Sequence, residues 1–395
     1  MMRQKTRHHS LAASLLAIGL ATSASSASAV VDCNEPGQSI AAEIAAGKTE
    51  IEFVGSCNEY LVIRTDGISI SGASGDRTRD VIAYGLDLRG AQRVNLRSFT
   101  IVFGSGLFDG SAAVYDDVVM GGLSVNSNSK AEVTESLIRG PYGVAVLESS
   151  VLYMQLSPIE DLAPGIVVAD GAWAYITSSD ITNTRYGIEV ARNASLTLLG
   201  GSLGPATEDN GARGCNPLCI RDGSTALIDG TAIEGTNEDP TIGGAVTVSR
   251  NSDLRLIGNT SISNSGSQPA VGIYEASSLR GDRTNGLGGS LTGDLKVSGK
   301  SYADLRAGSV SGNIDVRLDS LLRLGASGLG SDPAQIVVTG STTLAQDSHL
   351  VVEDPLVTIN GDITCADRRS RLTGSFGGTG AVIKCRDFNN AKVTR

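Results

Sequence analysis

The stretch "YGIEVARNASLTLLGG" at 186–201 alternates apolar and polar residues, turns at Asn193, and alternates again. The phrase recurs in windows starting at Gly122, Gly143, Gly165, Gly187, Pro217, Ala245, Ala270, Asp294 and Asn313. With each start as position zero, position one reads Leu123, Val144, Ile166, Ile188, Leu218, Val246, Val271, Leu295 and Ile314. Position three reads Val125, Val146, Val168, Val190, Ile220, Val248, Ile273, Val297 and Val316. Position seven holds only Ser or Ala, from Ser129 to Ser320, and position nine is apolar from Ala131 through Leu322. Position eleven is apolar except at Gly281.

Period-two alternation makes each phrase a pair of short strands, each burying one face. Position six, with Asn128, Ser149, Gly171, Asn193, Gly223 and Asn251, mostly carries residues that tolerate the left-handed backbone of a tight corner. Further pegs at Leu137, Ile159, Ile181, Leu203 and Ile233 predict a third strand per turn. A window spacing of roughly 19 to 30 residues with strand-only content predicts stacked coils, each burying its inner columns on its neighbours. The Leu-x-x-Leu-x-Leu signature of leucine-rich repeats is absent, and a β-sandwich would not repeat one residue type at the same step of every turn.

In these columns the chain resembles the right-handed parallel β-helix superfamily that includes pectate lyases, polysaccharide hydrolases and uronate epimerases. The resemblance rests on the coil signature from about Ile51 to Ile363, with earlier coils in "IEFVGSCNEYLVIRTDGISISG" and "VNLRSFTIVFG". It implies an all-β, right-handed parallel β-helix solenoid. In "PGQSIAAEIAAG", Ile40 and Ile44 are four apart and predict a short helix capping the N-terminal end, where an open coil would expose a sheet edge. The expected organisation is a signal peptide at 1–29, an N-terminal cap at 30–50, the β-helix at 51–363 and a C-terminal cap or tail at 364–395.

The leader reading rests on Arg3, Lys5 and Arg7, the apolar run 11–20 and the small-residue site Ala27-Ser28-Ala29. Removing it takes three basic residues and no acid, so the net charge falls below the −10 of the whole chain. Nucleic acid is not an expected partner of such a surface, and membrane insertion is not expected because no stretch approaches the roughly 18 to 20 apolar residues a span needs. The localisation expected is secreted or periplasmic. Six cysteines in the exported part favour disulfides. Because a solenoid brings together segments close in sequence, the nearest-neighbour pairs are preferred: Cys33 with Cys57, Cys215 with Cys219, Cys365 with Cys385. Zinc at Cys215 and Cys219 lacks further ligands, since His349 is the only histidine beyond the leader.

Coil spacing jumps at "GPATEDNGARGCNP" and "GTNEDPTIGG". Both insertions follow a third strand, so they should project from one edge and wall a groove with the outward face of the first strands, a common place for substrate in the enzymes this chain resembles. The candidate catalytic residues there are Glu189, Arg192, Asp209, Arg221, Asp222 and Arg250. Position five reads Glu148, Asp170, Arg192, Asp222, Arg250 and Glu275, alternating in sign from Asp170 on, which is equally a stabilising charge ladder. Lyase chemistry on a uronate would need a cation on the carboxylate and a base for the adjacent proton, parts that Arg, Lys, Tyr or bound calcium supply. No other cofactor is implied. A hydrolase would need two suitably spaced carboxylates, with Glu189, Asp209, Asp222 and Asp239 as candidates.

Other chemistries fare worse. The Asp-Pro-His-Glu run of the epimerases is missing, His349 stands alone, and neither a serine nucleophile nor a free thiol is expected. A second candidate surface lies on the outward face of the second strand, where Tyr153 and Tyr175 share position ten and Val151 and Trp173 share position eight. Flat aromatic faces there would stack on sugar rings, meet another subunit or lie under a loop. The two functional expectations are an enzyme acting on extracellular polysaccharide, either lyase or glycoside hydrolase, and a non-catalytic structural, adhesion or carbohydrate-binding module of the envelope.

Overall fold

The computed structural model describes residues 28–161, 165–206, 216–236, 244–281, 289–325, 335–353, 356–385 and 392–394. It is a parallel β-solenoid of about 14 turns, consistent with a right-handed parallel β-helix. Among the described residues the strand pairings are parallel and join a strand to its counterpart one turn away, as Ile166–Ala169 pairs with Ile188–Ala191 and the latter with Leu218–Ile220.

Three strand stacks run along the axis. First strands include Ile188–Ala191, second strands Ser195–Leu199 and third strands Ser202–Leu203. The predicted columns form the core: every position-one and position-three residue from Leu123 to Val316 is at most 2 % exposed. Registers such as Val146↔Val168, Val168↔Val190 and Val190↔Ile220 stack like on like. One peg needs correction. Leu137 is only half-buried, whereas Ile138 is fully buried and pairs with Ile159. Ile138 lies sixteen residues into its window, the step occupied by the other pegs, and the one-residue offset turns Leu137 to the opposite face.

The corner between first and second strands takes two successive left-handed residues. Asn128, Ser149, Asn193 and Asn251 have φ of 60–61° as position six requires, and Glu148, Asp170, Arg192, Asp222, Arg250 and Glu275 at position five have φ of 55–58°. Position seven is small because it is buried and bonded. The amide of Ser111 donates to Ser129 Oγ, Ser129 to Ser150 Oγ, Ser224 to Ser252 Oγ and Ser252 to Ser277 Oγ, at 3.1 to 3.2 Å. The ladder gives these buried corner amides a side-chain acceptor, which for Ser111 and Ser129 adds to backbone bonds to the Phe108 and Asn126 carbonyls at 3.2 Å.

Parallel pairing extends beyond 51–363 at both ends. Ser28–Asp32 pairs with Glu50–Val54, and Arg371–Gly377 pairs with both His349–Val352 and Lys392–Thr394. The short helix Ile40–Ala45 buries Ile40 completely. Its first turn is held by Glu59, whose carboxylate accepts from Ser39 Oγ and from the amides of Ile40 and Ala41 at 2.8 to 3.1 Å. Cys33–Cys57 and Cys365–Cys385 are bonded as expected, with Cα separations of 5.0 and 4.9 Å. Cys33, Cys57 and Glu59 bring ligand atoms together, but the thiols are consumed by the bond. Cys219 is also disulfide-bonded; Cys215, its expected partner, lies outside the described residues. Among the described residues no helix is long and apolar enough to cross a membrane.

Candidate functional site

The residues nominated on the first-strand edge come together, largely as ion pairs. Arg192 donates two nitrogens to Asp170 on the preceding coil, Nη2 to Oδ2 at 2.9 Å, and this bond holds the Asp170 carboxyl below its ordinary range. Arg250 bridges Asp222 at 3.1 Å and Glu275 at 3.6 Å. These side chains sit on the left-handed corner, so they form the alternating ladder along an exposed ridge. Arg221 and Glu189 lie deeper, with Nε donating to Oε1 at 3.0 Å and side-chain exposures of 19 % and 9 %. Outward position two is covered here: Glu189, Cys219 and Thr247 are all buried. Asp209 and Asp239, and most of both insertions, lie outside the described residues.

The aromatic candidates on the second-strand face do assemble. Tyr153 and Tyr175 are register partners, as are Val151 and Trp173. The three rings pack mutually, Tyr153 on Trp173 at 5.3 Å and 79°, Tyr153 on Tyr175 at 6.1 Å, Trp173 on Tyr175 at 6.2 Å. Lys130 lies 5.0 Å over the Tyr153 ring, and its bond to Glu132 raises its pKa. Beside them runs an open groove of about 310 Å³ lined by Lys130, Glu132, Tyr153, Gln155, Tyr175 and Thr177. Half-exposed aromatic faces edged by an ammonium, a carboxylate and an amide combine stacking surface with donors and acceptors.

Two other residues resolve plainly. His349 Nε2 lies 3.0 Å from Thr373 Oγ1, far along the chain from the nominated groups. The stretch "GGSLG" at 200–204 fits the Gly-x-Ser-x-Gly pattern of a serine nucleophile. Its serine, however, lies on the parallel strand Ser202–Leu203 and donates to Asp180 Oδ1 at 2.6 Å, without the strand-to-helix turn that exposes a nucleophile.

Sequence reasoning missed a row of aromatics on the early coils. Tyr84-Gly85, Phe103-Gly104, Tyr142-Gly143 and Tyr186-Gly187 all place an aromatic-glycine pair just ahead of the first-strand core positions, a signal visible once the early coils are aligned with the later windows. The glycine has a steric reason at Gly187. Its φ is +66°, and a β-carbon there would stand 2.0 Å from the Pro217 carbonyl oxygen.

Comparison with protein-family models, with curated proteins and with solved structures finds no match to this chain.

Proposed function

We propose that this is an exported, non-catalytic envelope module that binds extracellular polysaccharide on its second-strand face. The observation carrying the reading is the Tyr153–Trp173–Tyr175 cluster beside a polar-edged groove. Rigid amphipathic rings bind at low entropic cost, and sugar rings present apolar faces between hydroxyl edges that the Lys130, Glu132 and Gln155 side chains suit. Export is supported by the leader pattern, by the bonded cysteines and by the oxidising compartment that such bonds need.

Binding is preferred to catalysis because Arg192, Arg221, Asp222, Arg250 and Glu189 are engaged with one another or with Asp170 and Glu275. A lyase or hydrolase needs its base and cation directed at substrate. The test is co-sedimentation with a panel of insoluble polysaccharides. Wild type should sediment saturably with at least one of them, and Trp173→Ala with Tyr175→Ala should weaken sedimentation with at least one of them while leaving the melting transition in place. Sedimentation indifferent to the double change would remove this face from the function.

A further inference from the structure

We infer a second, separate glycan site, on the first-strand edge of the N-terminal coils, that takes an extended uncharged polysaccharide chain lying along the solenoid axis. It extends the polysaccharide reading to another surface and does not depend on Trp173. The site is a groove of about 390 Å³ flanked by aromatics that the fold leaves outside the core: Tyr60, Tyr84, Phe103 and Tyr142 are 48 to 55 % exposed. Tyr84 and Phe103 lie parallel within 4° with centroids 6.3 Å apart, and Phe103 meets Tyr142 at 6.0 Å.

The row follows the coil repeat. Tyr60, Tyr84 and Phe103 belong to three successive coils. The next coil carries Gly121 and Gly122 instead, and Tyr142 from the coil beyond leans over the bare position, since a β-carbon on Gly122 would stand 2.7 Å from Tyr142 Cβ. Coils rise by about 4.8 Å, close to the advance of one pyranose unit in an extended glycan. A chain parallel to the axis therefore offers one ring to each coil. A globular partner or a lipid surface has no reason to match that period.

Polar chemistry is present at the groove floor. Asp87 is 9 % exposed and accepts from Arg89 Nη2 at 3.0 Å, while the Arg89 guanidinium lies 5.2 Å over the Phe108 ring. Burial, and then hydrogen bonding to Asp87, raise the Tyr60 phenol above its ordinary range, so Tyr60 keeps its proton as a donor at neutral pH. Gly106 keeps this floor open, because a β-carbon there would stand 2.9 Å from Asp87 Oδ1 and 2.5 Å from the Phe108 ring. The Asp87 carboxylate, the Tyr60 hydroxyl and the aromatic plates line the groove and suit a neutral sugar, with the Arg89 guanidinium behind them on Asp87. The carboxylate and guanidinium offset each other, and the acidic chain disfavours a polyanion.

The experiment is titration calorimetry of the mature protein with cellohexaose, xylohexaose and mannohexaose, using wild type, the Tyr84→Ala/Phe103→Ala double variant and Trp173→Ala. Circular dichroism and the melting transition confirm that each variant is folded, and Gly106→Ala serves as a second lesion that blocks the floor without touching the plates. The expected result is saturable binding of at least one hexasaccharide, weakened tenfold or more by the Tyr84/Phe103 change and by Gly106→Ala but retained in Trp173→Ala. Binding to none of the three, or binding unaffected by the Tyr84/Phe103 change, overturns the site. So does sedimentation velocity showing a dimer that this change dissociates, since the face would then be covered by a second copy. Loss of hexasaccharide binding in Trp173→Ala with binding kept in the Tyr84/Phe103 variant would assign the glycan to the second-strand face and overturn this site.

Discussion

Arg221 donates Nε to Glu189 Oε1 at 3.0 Å across the boundary between two coils, and both side chains are largely removed from solvent. Their Cα positions are not register partners: Glu189 pairs with Cys219, two residues before Arg221. The guanidinium therefore reaches back along the strand edge to a carboxylate held in a covered position. A paired charge in such a place is costly to disrupt from one side only.

Arg221→Ala should accordingly destabilise the fold, by up to about 3–5 kcal/mol, because it takes a cationic partner from the buried Glu189 carboxylate. Replacing both residues with leucine should cost less than the single change. Urea unfolding of the three variants measures this, and a double variant less stable than Arg221→Ala would show that the pair contributes more than mutual neutralisation.

The exposed ladder should behave differently. Arg192 and Asp170 keep 53 % and 41 % of their side-chain surface, so Arg192→Ala should cost under about 1 kcal/mol, and the loss should shrink in salt. Thermal melts at low and high ionic strength check both statements.

Acid sensitivity follows from depressed carboxylates. Hydrogen bonding to Arg192 lowers the pKa of Asp170, and bonding to Arg323 and then Arg306 lowers that of Glu353. A folded-state pKa below the unfolded one contributes stability that is present above the unfolded pKa and lost as pH falls through the folded one. Unfolding free energy should thus hold from neutral pH to the ordinary carboxylate range and decline below it. In Arg323→Ala the decline contributed by Glu353 should diminish, as pH-dependent urea titrations will reveal.

Register supplies a sharper contrast. Val190→Asp places an unpaired charge between Val168 and Ile220 in the core and should cost several kcal/mol. Thr197→Asp, on the outward face of the following second strand, should change stability by no more than about 0.5 kcal/mol. Equal effects in a denaturation series would mean that the inner and outer faces are misassigned.

The core was legible because one face of every coil must be apolar at a fixed step, so Val146, Val168, Val190 and Ile220 announce the stack without any tertiary information. Position seven was legible as small, but not as the Oγ ladder through Ser129, Ser150, Ser252 and Ser277, because a hydrogen bond between coils has no counterpart within one coil's sequence. Leu137 and Ile138 are both apolar, and the sixteen-residue step shared with Ile159, Ile181 and Leu203 already favours Ile138, which stacking on Ile159 then shows. On the surface, the sign alternation of Asp170, Arg192, Asp222 and Arg250 could be read from sequence, whereas its pairing depends on the left-handed corner that brings successive coils together. The Tyr84, Phe103 and Tyr142 row was missed because irregular early coils hide the alignment that puts the three on one edge.

The central claim is that this solenoid binds polysaccharide without turning it over. The most direct test incubates the purified mature protein with a panel of soluble polysaccharides and follows binding by affinity electrophoresis, unsaturated-product absorbance and new reducing ends in the same samples. The account predicts retarded migration in at least one polysaccharide, with neither absorbance nor reducing ends rising over a protein-free control. Product accumulation that Glu189→Gln or Arg221→Ala eliminates, in variants that remain folded, would contradict it.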